Sequence, residues 1–500
     1  MENQTNILEQ RQGKLAELAR LGCELYPHKF DHTHTVSGAR AAFEACDAAA
    51  LDEKKESVRV CGRILSLRPH GKAGFMDVSD GESRIQVYVR RDFVGQENFA
   101  LFKLFDLGDI IGVEGTVFRT HTGELTVSAT QVFHLAKNLL PLPEKWHGLT
   151  DVETRFRQRY VDLIINPEVR SVFAKRSRII REIRNYLDGH GYTEVETPVL
   201  QAVAGGALAR PFITHHNALD IDLYMRIALE LYLKRLIVGG IPRVYELGRI
   251  FRNEGISTRH NPEFTMVEFY QAYSDYRDLM DLTEELITRV AEAVTGGRQV
   301  AYGEHVLDFG SWRRLTMKEA VLEFWPASLP AITAEDLVSV ERLRELAGLA
   351  HTKFDPADGA GKLLSLVFET VAEEHLVQPT IIYDHPAETS PLSKKKADDP
   401  ATAERFELYI AGMEIANAYS ELNDPAEQKA RFEEQLAARG RGDEEAHEMD
   451  HDYIRALSYG MPPTAGEGIG IDRLTMVLTN SQSVREVILF PLLRPETAEP

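Results

Sequence analysis

The stretch "FRNEGISTRHNPEF", Phe251 to Phe264, sets Arg252, Glu254, Arg259, His260, Asn261 and Glu263 between two aromatics. A second stretch near the chain end, "GEGIGIDR", places Arg473 just after closely spaced glycines. An arginine at the end of a strand can bridge a phosphoryl group and a carboxylate through its fixed fork of donors. An arginine at a helix start, behind glycines that let a flat ligand reach the backbone, favours an anion. Either arginine alone serves equally well in an ordinary ion pair. The third stretch, "GMEIANAYSELND", offers Glu414, Asn417, Tyr419 and Glu421. Carboxylates together with substrate phosphates suit magnesium. In a regular strand Glu414 and Glu421 face opposite ways, so both reach one site only across a bulge or bend. His260 has no evident Ser or Cys partner, and no GxxxxGK[ST] loop occurs. The chemistry on offer is therefore orientation and charge stabilisation, with a bound carboxylate attacking an activated phosphate.

These loops need a scaffold. Residues 242–252 and 262–272 read as strands, and the polar knot joins them as an antiparallel pair. Further strands are expected from Thr380 to Tyr383 and on either side of Ala411-Gly412. Helices are expected over 171–188, after a turn within residues 220–240 that carry Glu230, through 424–440 and after Gly470. Neighbouring strands and hairpins predict an α+β domain whose mostly antiparallel sheet is flanked by helices. Glu230 lies among Ile227, Leu231 and Leu233, so it is either a solvated helix position or a buried acid awaiting a cation. Pro198 marks either a strand near an edge or subunit interface or an ordinary surface proline.

Ahead of this, residues 8–22 and 38–49 read as helices. Alternating segments between residues 56 and 133 predict five strands, with a helix between the third and fourth. That pattern points to a five-stranded oligonucleotide-binding barrel, with a generic small β domain as the plain alternative. Phe75 could stack a base and Gln86 or Glu124 read its edge. Each of these is equally at home in a core or on a solvated strand. Residues 138–151, with two prolines, read as a linker.

The chain has 500 residues, 43% apolar and 27% charged, with a formal charge of −20. That is enough for two or more domains of a water-soluble protein, and it disfavours indiscriminate nucleic-acid binding. Three cysteines do not make a disulfide framework. The N-terminus has no apolar signal core, so a cytoplasmic enzyme is expected.

The ordered stretches "GYTEVETPVL", "YELGRIFRNEGISTRHNPEFTMVEFY" and "GIGIDR" resemble motifs 1, 2 and 3 of bacterial class II lysyl-tRNA synthetases, and "RPFITHHNALD" and "PPTAGEGIGIDRL" extend the resemblance over nearly the full chain. It implies an N-terminal helical extension (1–55), an OB-fold anticodon-binding domain (56–137), a linker (138–170) and a class II antiparallel-sheet catalytic domain (171–500). It implies a homodimer that activates L-lysine with ATP and Mg²⁺ and then charges tRNA(Lys). By resemblance, Arg252 contacts the α-phosphate and the substrate carboxylate, and Arg473 the γ-phosphate. Glu254, His260, Asn261 and Phe264 fall at ATP positions, with Phe264 beneath adenine. Glu414 and Glu421 match magnesium-binding acids, and Glu414 also an ATP position. Gly206, Glu230, Arg252, Glu268, Tyr270, Asn417, Tyr419 and Glu421 match the lysine pocket, with Glu230 and Glu421 at the ε-ammonium and Glu268 at the α-amino group. Phe75, Gln86 and Glu124 match anticodon-reading positions. The rival readings are an aspartyl- or asparaginyl-type synthetase, a paralogue that lysylates a translation factor, and a non-catalytic RNA-binding regulator derived from a synthetase. The first would need basic groups where Glu230 and Glu421 stand, the second would lack the barrel, and the third would bind tRNA without turning over ATP.

Overall fold

In a computed structural model, residues 2–143, 149, 151–207, 209–440 and 449–495 are described. The chain divides into two compact units, Met1–Arg170 and Ser171–Pro500. No helix among the described residues is long and apolar enough to cross a membrane.

The first unit begins with helices Glu2–Arg20, Val36–Phe43 and Ala48–Lys54, so the single helix expected over 38–49 is two short ones. Five strands follow: β1 (Ser57–His70), β2 (Ala73–Ser79), β3 (Arg84–Arg90), β4 (Ile110–Arg119) and β5 (Leu125–Ala136). They close a barrel in the order β1-β2-β3-β5-β4. Alternation explains the closure: Val58, Val60, Met76, Val78, Ile85, Val87, Val113 and Val127 are buried inside, and their neighbours point out. The helix Arg91–Leu104 fills the expected slot between β3 and β4, with Phe99 and Phe102 turned inward. Of the stretch read as a linker, residues 144–148 and 150 lie outside the described residues. Beyond them come helices Val152–Arg157 and Arg159–Ile165, where buried Asp162 accepts hydrogen bonds from Arg155, Arg159 and Asn166.

Helix Pro167–Gly189 begins four residues before the second unit and runs into it. That unit is built on β6 (Thr193–Glu194), β7 (Leu200–Gln201), β8 (Ile213–His216), β9 (Ile221–Met225), β10 (Arg243–Phe251), β11 (Glu263–Ala272), β12 (Gln299–Tyr302), β13 (His305–Asp308), β14 (Arg313–Thr316), β15 (Thr380–Pro386), β16 (Thr402–Ile410), β17 (Met413–Ser420) and β18 (Thr464–Gly470). Eight of these form one sheet, β14-β15-β16-β17-β18-β11-β10-β6. Only the two outermost pairs are parallel. The small sheet β7-β9-β8 and the pair β12-β13 stand apart. One face of the large sheet packs on helices Pro167–Gly189 and Tyr276–Thr295 through Ile179, Ile183, Leu279, Leu286 and Val290. The other face carries the pocket described below.

Helix Tyr276–Thr295 is fixed at its start by a reciprocal cap: Asp275 accepts from the backbone of Arg277 and Asp278, and Asp278 accepts from the backbone of Asp275. Asp275→Ala is expected to cost about 1 kcal/mol and to lower the melting temperature by a few degrees, as read by calorimetry. Between β14 and β15 a helical insert, Met317–Phe324, Val340–Leu349 and Ala360–Val371, has its own core around Leu343, Leu346, Leu363 and Phe368. β18 is central in the sheet, although the sequence reading passed over it as the approach to a helix.

Candidate active site

The cavity over the open face of the large sheet holds roughly 320 Å³, and β11, β17 and β18 supply its floor. The floor is bare because β18 places Gly466, Gly468 and Gly470 on this side. A Cβ built at Gly466 would lie 2.2 Å from the Tyr270 ring and 2.3 Å from the Glu421 carboxylate. Only backbone fits there.

Arg252 follows directly on β10. Its Nε donates to the Ile227 carbonyl at 3.3 Å, and its guanidinium carbon lies 5.2 Å from the centre of the Phe264 ring. Burial lowers its pKa, and the carboxylates of Glu254, Glu414 and Glu268 counter that shift. Its terminal nitrogens carry no bond among the described residues and face the cavity. Arg473, in the first turn of helix Ile471–Thr479, donates to the Glu414 carbonyl at 2.7 Å and to its carboxylate at 3.3 Å. Its other terminal nitrogen lies 3.1 Å from His260 Nε2. Burial, then the Arg473 charge, pushes the His260 pKa down, so the ring is neutral at pH 7. Ser257 bonds the other ring nitrogen of His260 at 2.9 Å. Asn261 donates to the Glu263 carbonyl at 2.7 Å, which tightens the turn. Arg252, Glu254, His260, Asn261, Phe264, Glu414 and Arg473 all line this end of the cavity.

Acids gather at the other end. Glu230 opens helix Glu230–Val238, and Gly206 covers it with a positive φ of 89° that leaves 3.2 Å between a built Cβ and the Glu230 Cβ. Tyr419 Oη donates to Glu230 Oε2 at 2.5 Å. Glu268 accepts from the Leu229 amide at 3.0 Å and from Tyr270 Oη at 3.1 Å. Burial nevertheless pushes its pKa up to about 7. Asn417 Oδ1 accepts from Arg405 Nε at 2.9 Å, so its amide nitrogen is the group left for a ligand. Gly206, Glu230, Glu268, Tyr270, Asn417 and Tyr419 all line the cavity.

The parity problem on β17 is solved by a bulge. Leu408 pairs with Ala416 and Tyr409 with Glu414, so Ile415 is one residue extra. Ile415 and Ala416 both turn into the core, and Glu414 joins Asn417 and Tyr419 on the cavity side. Glu421 behaves differently. It is 1% exposed, sits behind the wall and ion-pairs with Lys234. The partners of Glu414 and Glu421 thus differ: one faces the arginine end, the other a buried lysine. Among the described residues no group of three or more His, Cys, Asp or Glu side chains is placed to hold a metal.

Three participants escaped the sequence reading. Lys234 stands one turn after Glu230, and that i,i+4 acid–base spacing within an apolar helix was the available signal. Arg405 is tied to Asn417, Glu407 and Ser390. Asp472 accepts from the Thr265 amide at 2.8 Å and pairs with Arg176 at 2.5 Å, which locks the start of its helix to the sheet.

On the barrel, Phe75 and Gln86 point outward from adjacent strands. The Phe75 ring lies 4.8 Å from Tyr88, tilted by 33°, and Tyr88 meets Phe118 edge-on at 6.5 Å, so the outer face carries an aromatic row of which the sequence alone singled out Phe75. Gln86 Oε1 accepts from Thr126 at 3.1 Å, and exposed Glu124 lies 3.9 Å from Arg40. Such a row suits stacked bases.

Comparison with known proteins adds to this geometry. The profile described as "tRNA synthetases class II (D, K and N)" matches residues 151–494, and that described as "OB-fold nucleic acid binding domain" matches residues 58–135. The chain is 52% identical over 497 residues to the lysine–tRNA ligase of Moorella thermoacetica, covering 99% of both chains. It is 54% identical over 495 residues to that of Pelotomaculum thermopropionicum, covering 99% of this chain and 96% of the relative. It is 51% identical over 490 residues to that of Bacillus anthracis, covering 97% and 96%. An antiparallel sheet bearing two arginines at one end of its cavity and acids at the other, together with an N-terminal OB-fold barrel, places this chain in the class II tRNA synthetase family of the D, K and N type.

Proposed function

We propose that the chain is a lysine–tRNA ligase. It joins the carboxylate of L-lysine to the α-phosphate of ATP, releasing pyrophosphate, and then passes the lysyl group to the 3′-terminal ribose of tRNA(Lys), releasing AMP. The observation that carries this reading is the division of one cavity into an arginine end and an acidic end. A dibasic amino acid presents two ammonium groups to the acids and its carboxylate to Arg252. An acidic amino acid would set its side chain against carboxylates, at a cost of several kcal/mol.

In the first step a lysine carboxylate oxygen attacks the α-phosphorus in line, and the bond to the pyrophosphate oxygen breaks. No protein nucleophile is required. Arg252 holds the attacking carboxylate and the α-phosphate together and gains strength as negative charge grows there. Its stacking on Phe264 keeps the guanidinium plane fixed, and the exposed side of that ring is the seat for adenine. Arg473, held by Glu414 and His260, meets the outer phosphates. Neutral His260 donates or accepts there without adding charge. Glu254 and Asn261 border the same end. Mg²⁺ supplies charge neutralisation on the phosphates when it binds with ATP. Glu414 fits as its protein ligand, because its carboxylate is partly exposed beside Arg473. Glu421, the other acid expected there, is engaged by Lys234.

The aromatic row at Phe75, with Gln86 and Glu124, is the surface for anticodon bases. A homodimer is also part of this reading. Val199 and Leu200, after Pro198, and Ile213 and Ile221 on the small sheet are 40–63% exposed, an apolar surface suited to a second copy. A cytoplasmic location completes it.

The test is ATP–pyrophosphate exchange with each of the twenty amino acids, without tRNA. Exchange that depends on lysine alone is expected. Exchange with aspartate or asparagine would overturn the pocket assignment, and no exchange with any amino acid would overturn the activation step.

A further inference from the structure

Lys234 is completely buried, one helical turn after Glu230. Its Nζ donates to Glu230 Oε1 at 2.5 Å and forms an ion pair with Glu421. The rings of Tyr419 and Tyr453 stand 5.5 and 6.0 Å from the same nitrogen. These four residues come from the lysine's own helix, from β17 and the residue following it, and from helix His451–Ser458. Apart from Lys234, nothing among the described residues donates to the Glu421 carboxylate. Glu230 has its second oxygen on Tyr419.

A lysine with no access to water is costly unless its charge is matched. Here it is overmatched. Two carboxyl groups share the one ammonium at this corner of the pocket. Glu268, on β11, adds a third buried carboxyl to the same cavity.

Resting on the reading of the cavity as a lysine site, we infer that Lys234 is a positioning residue for amino-acid selection: an internal ammonium that pairs Glu230 with Glu421 and keeps both carboxyl groups aimed at the corner of the pocket that receives a cationic side chain. Without it, two buried carboxylates would stand close together with no cation between them. One would take up a proton, and the pocket would lose both the charge and the aim that receive a cationic side chain. Burial raises the Glu421 pKa well above the ordinary carboxylate value, the Lys234 ammonium opposes that rise and the Glu230 charge adds to it.

The experiment compares the native chain with Lys234→Met, with Glu421→Gln and with the double variant Lys234→Met/Glu421→Gln, which leaves no orphaned carboxylate at Glu421. Lysine-dependent exchange by the native chain is read first. Its absence would overturn the lysine-site reading itself, and with it the role of Lys234. With native exchange present, Lys234→Met is expected to raise the KM for lysine by about tenfold or more while the KM for ATP changes by less than about twofold. The double variant is expected to melt close to the native chain and to show a higher lysine KM than Glu421→Gln alone. A double variant with the same lysine KM as Glu421→Gln would mean that Lys234 only neutralises that acid. A fall in exchange that tracks loss of fold, with lysine and ATP affected alike, would make its role purely structural. Either result overturns the inference while leaving the ligase reading intact.

Discussion

Arg252→Ala is expected to lower lysine-dependent pyrophosphate exchange by roughly 10²–10³-fold or more while leaving the fold intact. Both halves follow from how the residue is held. Among the described residues its one side-chain hydrogen bond is a 3.3 Å contact to the Ile227 carbonyl, and its guanidinium carbon lies 5.2 Å from the centre of the Phe264 ring. Losing these contacts costs the fold little. The donors that face the cavity touch no other described residue, so their work is reserved for ligand. A group that contacts attacking carboxylate and α-phosphate together gains most in the transition state. The variant should therefore lose kcat rather than merely gain KM for ATP. Exchange kinetics beside a melting curve decide the matter. A folded variant with near-native exchange would remove Arg252 from the phosphate role.

The second large effect concerns stability and pH. Glu467 lies on β18 but points away from the cavity, into the core beneath helix Tyr276–Thr295. Its Oε2 accepts from Thr283 Oγ1 at 2.7 Å, and its Oε1 has no hydrogen-bond partner among the described residues. Burial pushes its pKa up to about 8 from a model-compound value of 4.5. The direction of linkage is opposite to that of a salt-bridged acid. Below pH 4.5 the side chain is protonated whether the chain is folded or not, and it costs nothing. As pH rises towards 8 the unfolded chain ionises it and the folded chain does not, so folding is progressively disfavoured. Above the folded pKa the penalty is constant. At about 1.4 kcal/mol per unit, the full swing is of order 4–5 kcal/mol. Glu467→Gln removes the titration. The difference in unfolding free energy between native chain and variant should move in the variant's favour by several kcal/mol between pH 4.5 and 8. Urea unfolding of both proteins across that range measures it, and parallel profiles would show that Glu467 is ionised in the fold.

Much of this was legible in the sequence where polar and apolar residues alternate. The hairpin of β10 and β11 lies within a residue of its expected bounds, and the break between β16 and β17 falls at Ala411 and Gly412 as read. The barrel was visible for the same reason. β18 was not, because three of its seven residues are glycine. Glycine depresses every measure of strand preference, yet in this strand it is what keeps the cavity floor clear. Arg252 and Arg473 were legible as a pair from their unusual contexts. The fate of Glu421 was not, because its partner Lys234 lies far off in sequence and packs against it only through tertiary structure. The helical insert was passed over for a different reason: its core is local to itself and carries no chemistry to draw attention.

The extra residue at Ile415 has a consequence for how such chains can diverge. Side chains on a strand alternate, so one inserted or lost residue reverses everything beyond it. Here that single residue keeps the acid beside the phosphates in step with the groups that meet the amino acid. The spacing between Glu414 and Asn417 works as a ruler. Loss of one codon there would leave composition almost untouched and turn one of the two half-sites inside out. The count of residues along β17 is therefore inherited information in its own right, and a redesigned or drifting sequence must preserve it as strictly as the residues themselves.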